Sequence, residues 1–382
     1  MKKTLYNTVI ATFLCLCLTI SLCACGAEDG ENASIVLYEY AEPINFHTSE
    51  QTAYFEDYMS VSAYADGTAE LSRPEPVTLQ WSGYSAGEYS VKLSESPDMS
   101  GASVYTVSEQ KIDVYNLKIA NKYYWQVECG EVRSEVGSFS TADSGARNLF
   151  VDGVTNVRDV GGWITSSGKR MAQGLLFRGA RLNVSDPDDN AYQSITKYIR
   201  EITDIGAQTF TKTLGIKAEV DFRLTTRNGF PSDMSPSSPA GNSVDYIALP
   251  LNGSKAFTEP ASQENIKAFF EYLAVKDNYP VYFHCNIGTD RTGLIAYLIQ
   301  GLCGVDEQLM LTDYYFSDFG NIGEFKDPYA STSVNKTAYM DQLAAGGAYE
   351  GTTLSERIRS YLYSIGVGEQ TVDRVYSIMM GE

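Results

Sequence analysis

A cysteine followed six positions later by an arginine stands inside the string HCNIGTDRTG, which runs from His284 to Gly293. The string follows a short apolar run, Val281-Tyr282-Phe283, and leads into a longer one, Leu294 to Leu302. This is the pattern of a strand, a tight loop and a buried helix. The first amides of a helix lack internal partners, and the dipole there favours negative charge. A loop curled over such an end turns its own amides inward and cradles an anion. Asn286, Ile287, Gly288, Thr289 and Asp290 separate Cys285 from Arg291, a length that suits one tetrahedral phosphate. Gly288 admits a backbone conformation that other residues resist. Arg291 brings a planar fork matched to two phosphate oxygens. The same field draws the proton from Cys285, because a thiol beside a guanidinium at a helix start is acidic. The thiolate is a nucleophile at neutral pH and can attack phosphorus in line. Arg291 and the loop amides then hold the equatorial oxygens through the transition state. Thr292 can donate to the sulfur as it leaves, and His284 can orient the loop through its ring N–H groups.

Other chemistries fit less well. The Gly-Lys-Ser/Thr ending of the ATP-type phosphate loop is absent. A thiol-protease pairing has only His284, adjacent to the cysteine and turned to the other side of the strand, and the distant His47. The same two histidines, with no CxxC, argue against a metal site, and no cofactor is expected. An isolated cysteine in such a turn would be read as structural; this cysteine is not isolated.

The elements that must position this loop are legible around it. The chain has 382 residues, 43% of them apolar, enough for two domains with ordinary cores. Its formal charge of -19 speaks against nucleic acid as an electrostatically captured partner. From about Glu75 to Thr141 short alternating runs dominate: Val77-Thr78-Leu79-Gln80-Trp81, Tyr89 to Leu93, and Tyr123 to Val127, parted by turn residues. That spacing predicts an all-β sandwich. The stretch NLKIANKYYWQV followed by VGSFSTAD resembles the late strands of a fibronectin type III domain. Residues 143–149 read as a linker. Beyond them strands at Ala218–Phe222, Tyr246–Leu251 and Val281–Phe283 alternate with helices at Ile195–Ile202, Thr209–Leu214, Ile266–Val275 and Arg291–Leu302. This order implies an α/β domain with a mostly parallel sheet. Phe230 to Asn242 reads as a surface loop. Two helices parted by GVGEQ close the chain from Leu354 to Met380.

At the N-terminus a basic Met1-Lys2-Lys3 precedes apolar Val9 to Leu22, then Leu22-Cys23-Ala24-Cys25. This resembles a bacterial lipoprotein signal, which implies cleavage after residue 24 and a lipid on Cys25. Seven cysteines then become four, Cys25, Cys129, Cys285 and Cys303, and no paired spacing suggests a disulfide framework. The expected organisation is a signal over 1–24, a tether over 25–33, a sandwich over 34–142, a linker over 143–149 and an α/β domain over 150–382. The expected place is the bacterial cell surface.

HCNIGTDRTG resembles the His-Cys-x5-Arg-Ser/Thr signature of cysteine-dependent tyrosine and dual-specificity phosphatases. The ending Asp290-Arg291-Thr292-Gly293 is similar to a bacterial branch with HCxxGKDRTG. TNVRDVGG (155–162), GLLFRGARL (174–182) and LGIKAEVDFR (214–223) resemble further segments of that branch, in the same order. The resemblance implies an α/β cysteine-phosphatase fold, with Cys285 as nucleophile, Arg291 as phosphate clamp and Asp290 as general acid. Asp221 is the second candidate acid, set against a structural pairing with Arg223 or Arg158. Arg158, Asp159 and Arg178 read as structural. The implied substrates are phosphotyrosine first, then phosphoserine or phosphothreonine proteins or phosphoinositides, met at a membrane held through Cys25. Two other readings stand beside this: a cysteine phytase acting on inositol phosphates, and a surface protein that binds anions without turnover. Thr289 and Gly179 depart from the branch, which has lysine and serine there. The first removes a cation from the loop.

Overall fold

The computed structural model describes residues 33–183, 201–224, 226–227, 230–231, 234–330, 343 and 350–382. The expected signal over 1–24, Cys25 and most of the helix expected over Ile195–Ile202 lie outside these residues. Eight strands come first: β1 (Ile35–Leu37), β2 (Val77–Gly83), β3 (Tyr89–Ser94), β4 (Ser103–Val107), β5 (Lys111–Val114), β6 (Lys122–Cys129), β7 (Val132–Arg133) and β8 (Gly137–Ser140). They form two antiparallel sheets, β1-β2-β5 and β4-β3-β6-β7, with β8 also on β6. Alternation works as read: Val77, Leu79 and Trp81 point inward from β2, and Tyr123, Trp125 and Val127 from β6. These residues share one core with Val91, Leu93 and Phe139.

The second sheet comprises β9 (Arg158–Asp159), β10 (Leu176–Gly179), β11 (Ala218–Asp221), β14 (Asp245–Ala248) and β15 (Val281–His284), in the order β14-β11-β15-β10-β9. A two-residue hairpin, β12 (Thr226–Arg227) with β13 (Phe230–Pro231), lies between β11 and β14 in sequence. Neighbours from β14 to β10 are parallel; β9 alone is antiparallel. The central β15 is buried on both faces, which explains its unbroken apolar run. Val281 and Phe283 join the larger core, and Tyr282 joins a second cluster on the opposite face with Phe177 and Phe210.

The helices are α1 (Ser49–Glu56), α2 (Asp204–Gln208), α3 (Pro260–Leu273), α4 (Asp290–Leu302), α5 (Glu307–Tyr315), α6 (Leu354–Ser364) and α7 (Glu369–Met379). A π-helical turn over Thr209–Thr213 continues α2. α4 is buried from Thr292 to Leu302 on every side, the mark of a helix in the middle of a core. Ile266, Phe269, Phe270 and Leu273 of α3 and Val372 and Val375 of α7 pack in the same core. Among the described residues no helix is long and apolar enough to cross a membrane.

The division at the linker needs correction. Residues 48–72 do not belong with the sandwich, because Tyr54, Val61 and Ala65 lie in the α/β core. The Tyr54 hydroxyl donates to Thr312 O at 2.6 Å, and Phe55 and Tyr58 stack on Phe316 and Tyr315. A capping box of Thr48 and Gln51 starts α1. The Phe230–Asn242 segment is likewise not wholly superficial, since Ser238 and Ala240 are buried.

Candidate active site

Three parallel strands, β10, β15 and β11, end together, with Gly179 and Asp221 opposite His284. Ligand sites in such sheets gather beyond the strand ends. The chain leaves β15 at Cys285, curls through Asn286 to Thr289 and enters α4 at Asp290. Gly288 makes the curl possible. Its φ is +76°, and a Cβ there would lie 2.3 Å from the Gly179 carbonyl. Gly179 is itself fixed by its neighbours. An added Cβ would meet the Tyr282 hydroxyl at 2.4 Å, which gives the departure from serine a steric reason.

Cys285 is 2% exposed. Burial alone would raise its pKa, yet the thiol lies below its ordinary value. The Arg291 guanidinium and the hydroxyl and amide of Thr292 pull it down, against the charge of Asp290. The Thr292 hydroxyl lies near the sulfur but makes no bond of hydrogen-bonding geometry. Arg291 is anchored by donating Nη1 to Phe222 O at 3.1 Å. The side-chain polar atoms of Asn286 and the Thr289 hydroxyl are buried without protein partners. Unsatisfied polar atoms at one loop are unusual and fit a place built to receive a polar group.

Beneath the loop, Glu219 and Asp221 share a face of β11, and His284 stands opposite Asp221. His284 Nε2 lies 2.8 Å from Glu219 Oε1, and Nδ1 lies 2.7 Å from Cys285 O. Burial lowers the imidazole pKa, but Asp221 and Glu219 more than offset it and raise it above the ordinary value, and each nitrogen faces an oxygen. Asp221 Oδ1 accepts from the Arg223 amide at 2.8 Å and Nε at 3.0 Å, and Oδ2 accepts from Arg223 Nε at 2.8 Å, Nη2 at 2.6 Å and the Tyr246 hydroxyl at 2.8 Å. Burial opposes ionisation there, but His284 and Arg223 take the carboxyl down to about 2. Asp221 is fully buried beneath the loop and has no path to a leaving group. The reading of Asp221 as an acid is corrected on this ground: its partner is Arg223.

Asp290 is placed differently. Its side chain is 50% exposed at the first position of α4, and Oδ1 accepts from the Tyr314 hydroxyl at 2.8 Å. It borders the thiol closely enough to act on its charge. Among the described residues no group of three or more His, Cys, Asp or Glu is arranged to hold a metal.

Several supports of the loop lie far from it in the chain. Register sets Arg178 of β10 opposite Arg158 of β9, and two adjacent buried guanidinia need an anion. Asp313 of α5 supplies it, 2.7 Å from Arg158 Nε and 2.5 Å from Arg178 Nη1. Arg178 Nη2 then donates to the loop carbonyls of Gly288 at 2.9 Å and Thr289 at 3.3 Å. Asn156 Nδ2 donates to Ile287 O at 3.0 Å. Asp159 holds the Gly161 and Gly174 amides and pairs with Arg147. The aromatic run Tyr314-Tyr315-Phe316 with Phe319 packs in the core, while Phe325 is exposed. Asp313 was open to notice as an acid beside Leu309, Met310, Leu311, Tyr314 and Tyr315; Glu219 had no signal beyond its place two residues before Asp221.

The chain is similar over 204 residues, at 27% identity, to a Cupriavidus necator protein named among the tyrosine-protein phosphatases. It is similar over 195 residues, at 30% identity, to a tyrosine-protein phosphatase of Nostoc commune. These matches cover 46% and 42% of this chain, and the chain spans 65% of the length of each relative. Among solved structures, P. aeruginosa TpbA resembles it at 18% identity and a TM-score of 0.26, over 54% of this chain and 86% of that one. The family model described as the tyrosine phosphatase family matches residues 149–374, more than half of the sequence and every residue from the first strand of the second sheet through the loop, and on that match the chain belongs to the tyrosine phosphatase family.

Proposed function

We propose that the protein hydrolyses phosphomonoesters, phosphotyrosine before phosphoserine, phosphothreonine or phosphoinositide, through a phosphocysteine intermediate. One observation carries the reading: the buried Cys285 stands at the head of α4 in a loop whose Asn286 and Thr289 polar atoms have no protein partner, with Arg291 near enough to lower its pKa. The family match and the names of the two relatives favour phosphotyrosine. In the first step the Cys285 thiolate attacks phosphorus. The S–P bond forms as the bond to the leaving oxygen breaks, and Asp290 gives its proton to that oxygen. Arg291 and the amides of residues 286–291 hold the three remaining oxygens. In the second step water attacks phosphorus and gives a proton to Asp290. The P–S electrons return to sulfur, helped by the Thr292 hydroxyl, and phosphate leaves. His284 fixes the Cys285 carbonyl and hence the loop.

The setting is part of the same proposal. The string before Cys25 supports export and a lipid on its thiol at the cell surface. The two sheets of residues 34–46 and 75–142 support a fibronectin type III-like sandwich acting as a spacer, with its own ligand open. Protein lacking residues 1–25 is expected to hydrolyse phosphotyrosine peptide faster than phosphoserine peptide, phosphoinositide or phytate, without added metal and under vanadate inhibition. Cys285→Ser abolishes it. Binding of vanadate with no turnover on any ester would leave only an anion-binding module. Labelling with palmitate, lost in Cys25→Ala, tests the anchor.

A further inference from the structure

Position 289 lacks the lysine that the resemblance leads one to expect, yet a cation stands at the loop. After α5 the chain turns through Phe316–Phe319 and passes beside the loop mouth. There Lys326 Nζ lies 3.0 Å from each carboxylate oxygen of Asp290 and 2.7 Å from Glu324 Oε1. The lysine side chain is 17% exposed, far less than the acid it holds. Together with Tyr314, it gives Asp290 three hydrogen bonds spread over both oxygens. Burial works against the charge on Lys326, but Asp290 and Glu324 outweigh it and keep the ammonium charged.

The lysine is itself held in place. Its amide donates to Oδ1 of the buried Asp318 at 2.8 Å. The segment rests on Gly67, whose carbonyl accepts from the amides of Ile322 at 2.9 Å and Gly323 at 2.8 Å. Gly67 N donates to Asp318 O at 2.8 Å, so the turn is gripped on both edges. Such anchoring is more than a surface ion pair needs, since exposed pairs contribute little to stability. It suits a group whose value lies in fixing another group's direction.

We propose that Lys326 is a positioning residue for Asp290, aiming its carboxyl at the leaving oxygen of a phosphate seated on Cys285. This rests on the reading of Asp290 as the general acid. A proton donor works only within hydrogen-bond reach of the atom it serves, and small displacements are costly. A half-exposed carboxyl with Tyr314 alone would swing through several rotamers.

The test compares leaving groups. A strongly acidic phenol departs with little help, whereas the phenol of phenyl phosphate needs a proton. In Lys326→Met, kcat/KM on phenyl phosphate, which reports the steps through departure of the leaving group, is expected to fall about tenfold or more relative to kcat/KM on a fluorinated umbelliferyl phosphate. Lys326→Arg should recover most of the loss. Asp290→Asn should widen the same ratio at least as far, and adding Lys326→Met to it should widen it no further. Equal losses on both esters, or additive losses in the double variant, would overturn the positioning role while leaving Asp290 as the acid. An Asp290→Asn enzyme with an unchanged ratio would overturn the assignment of Asp290, and this proposal with it. A Cys285→Ser enzyme that still turned over would overturn the phosphatase mechanism itself.

Discussion

Replacing Asp313 with Asn should damage both the fold and the loop, and the two effects can be separated. The carboxylate lies between Arg158 Nε at 2.7 Å and Arg178 Nη1 at 2.5 Å, and all three side chains are at most 1% exposed. Burial alone would raise the Asp313 pKa, but the two arginines hold it below the ordinary carboxylate value. Asn keeps one acceptor and removes the charge, so two guanidinia are left side by side in a dry interior. Breaking one buried pair costs about 3–5 kcal/mol. Two pairs sharing one carboxylate do not add, so the expected loss is about 4–6 kcal/mol. Against a total stability of about 5–15 kcal/mol, the variant would stand close to unfolding. Urea unfolding followed by tryptophan fluorescence can localise the loss, because Trp163 lies in the α/β core and Trp81 in the sandwich core. A triple change, Arg158→Met, Arg178→Met and Asp313→Leu, should restore much of the stability, since apolar packing can replace a buried triad. It should not restore activity, because Arg178 also holds the carbonyls of Gly288 and Thr289. The folded pKa is depressed, so the contribution is full above about pH 4 and lost as pH falls through the lower folded value. A loss under about 1 kcal/mol in Asp313→Asn would refute the clamp.

Iodoacetate inactivation of Cys285 should show a thiol midpoint below about 8.5, and Arg291→Ala should move it upward; an unmoved midpoint would remove Arg291 as the source of the acidity. Asp318 is buried, with its pKa raised to about 8. Between about pH 4 and that value the folded state holds a proton that the unfolded chain has released. Stability should therefore decline across that interval, by on the order of a few kcal/mol, and Asp318→Asn should flatten the profile under pH-dependent urea titration. Gly67 has φ +75°, and a Cβ there would lie 1.9 Å from Glu324 O. Gly67→Ala should thus cost about 1–3 kcal/mol in unfolding experiments and widen the leaving-group ratio as Lys326→Met does. Asp221→Asn should lower stability by about 3 kcal/mol through the stranded Arg223, and leave the leaving-group ratio unchanged, which a catalytic acid could not do.

The loop was legible because its parts are contiguous. The proposed nucleophile, cradle, acid and fork occupy Cys285 to Arg291, and the flanking apolar runs announce a strand and a helix. The sandwich strands were legible because one face of each meets water, so Val77, Leu79 and Trp81 alternate with polar neighbours. Asp221 was ambiguous for a local reason. Residues two apart on a strand share a face, so Arg223 was always within reach, and only burial decided between pairing and catalysis. What could not be read was long-range. Asp313 meets arginines 155 and 135 positions away, and Lys326 meets Asp290 across 36. Nothing in the local pattern of either residue names its partner. α1 is a nearer miss: its Thr48–Gln51 capping box lay in the sequence, but SEQTAYFE buries only Gln51 and Tyr54 and so carries little apolar periodicity.

The same long-range contacts show why the site cannot be assigned to the residues after the linker alone. The chain enters the sandwich at β1, leaves it for the arm of residues 48–72, and returns to it at β2. It is tied at the crossing. Ala142 N donates to Ile44 O at 2.8 Å, Glu75 N donates to Phe46 O at 2.7 Å, and His47 Nε2 meets Ala146 O at 2.7 Å. Burial takes the His47 pKa down to about 4, so this tie is a neutral one throughout the physiological range. From the crossing the arm reaches the loop on two sides. The Ser72 hydroxyl accepts from Asn156 N, and Asn156 holds Ile287 O. Gly67 seats the turn that carries Lys326 to Asp290. One side sets the curl of the phosphate cradle and the other sets the direction of the acid. Both supports lie in sequence before β2, so β2 to β8 are a long excursion between residues that hold the loop. A protein cut at residue 143 would keep every residue of the signature and lose both supports. Its expected behaviour is therefore a thiol that still reacts, in an enzyme that turns over poorly on esters whose leaving groups need a proton.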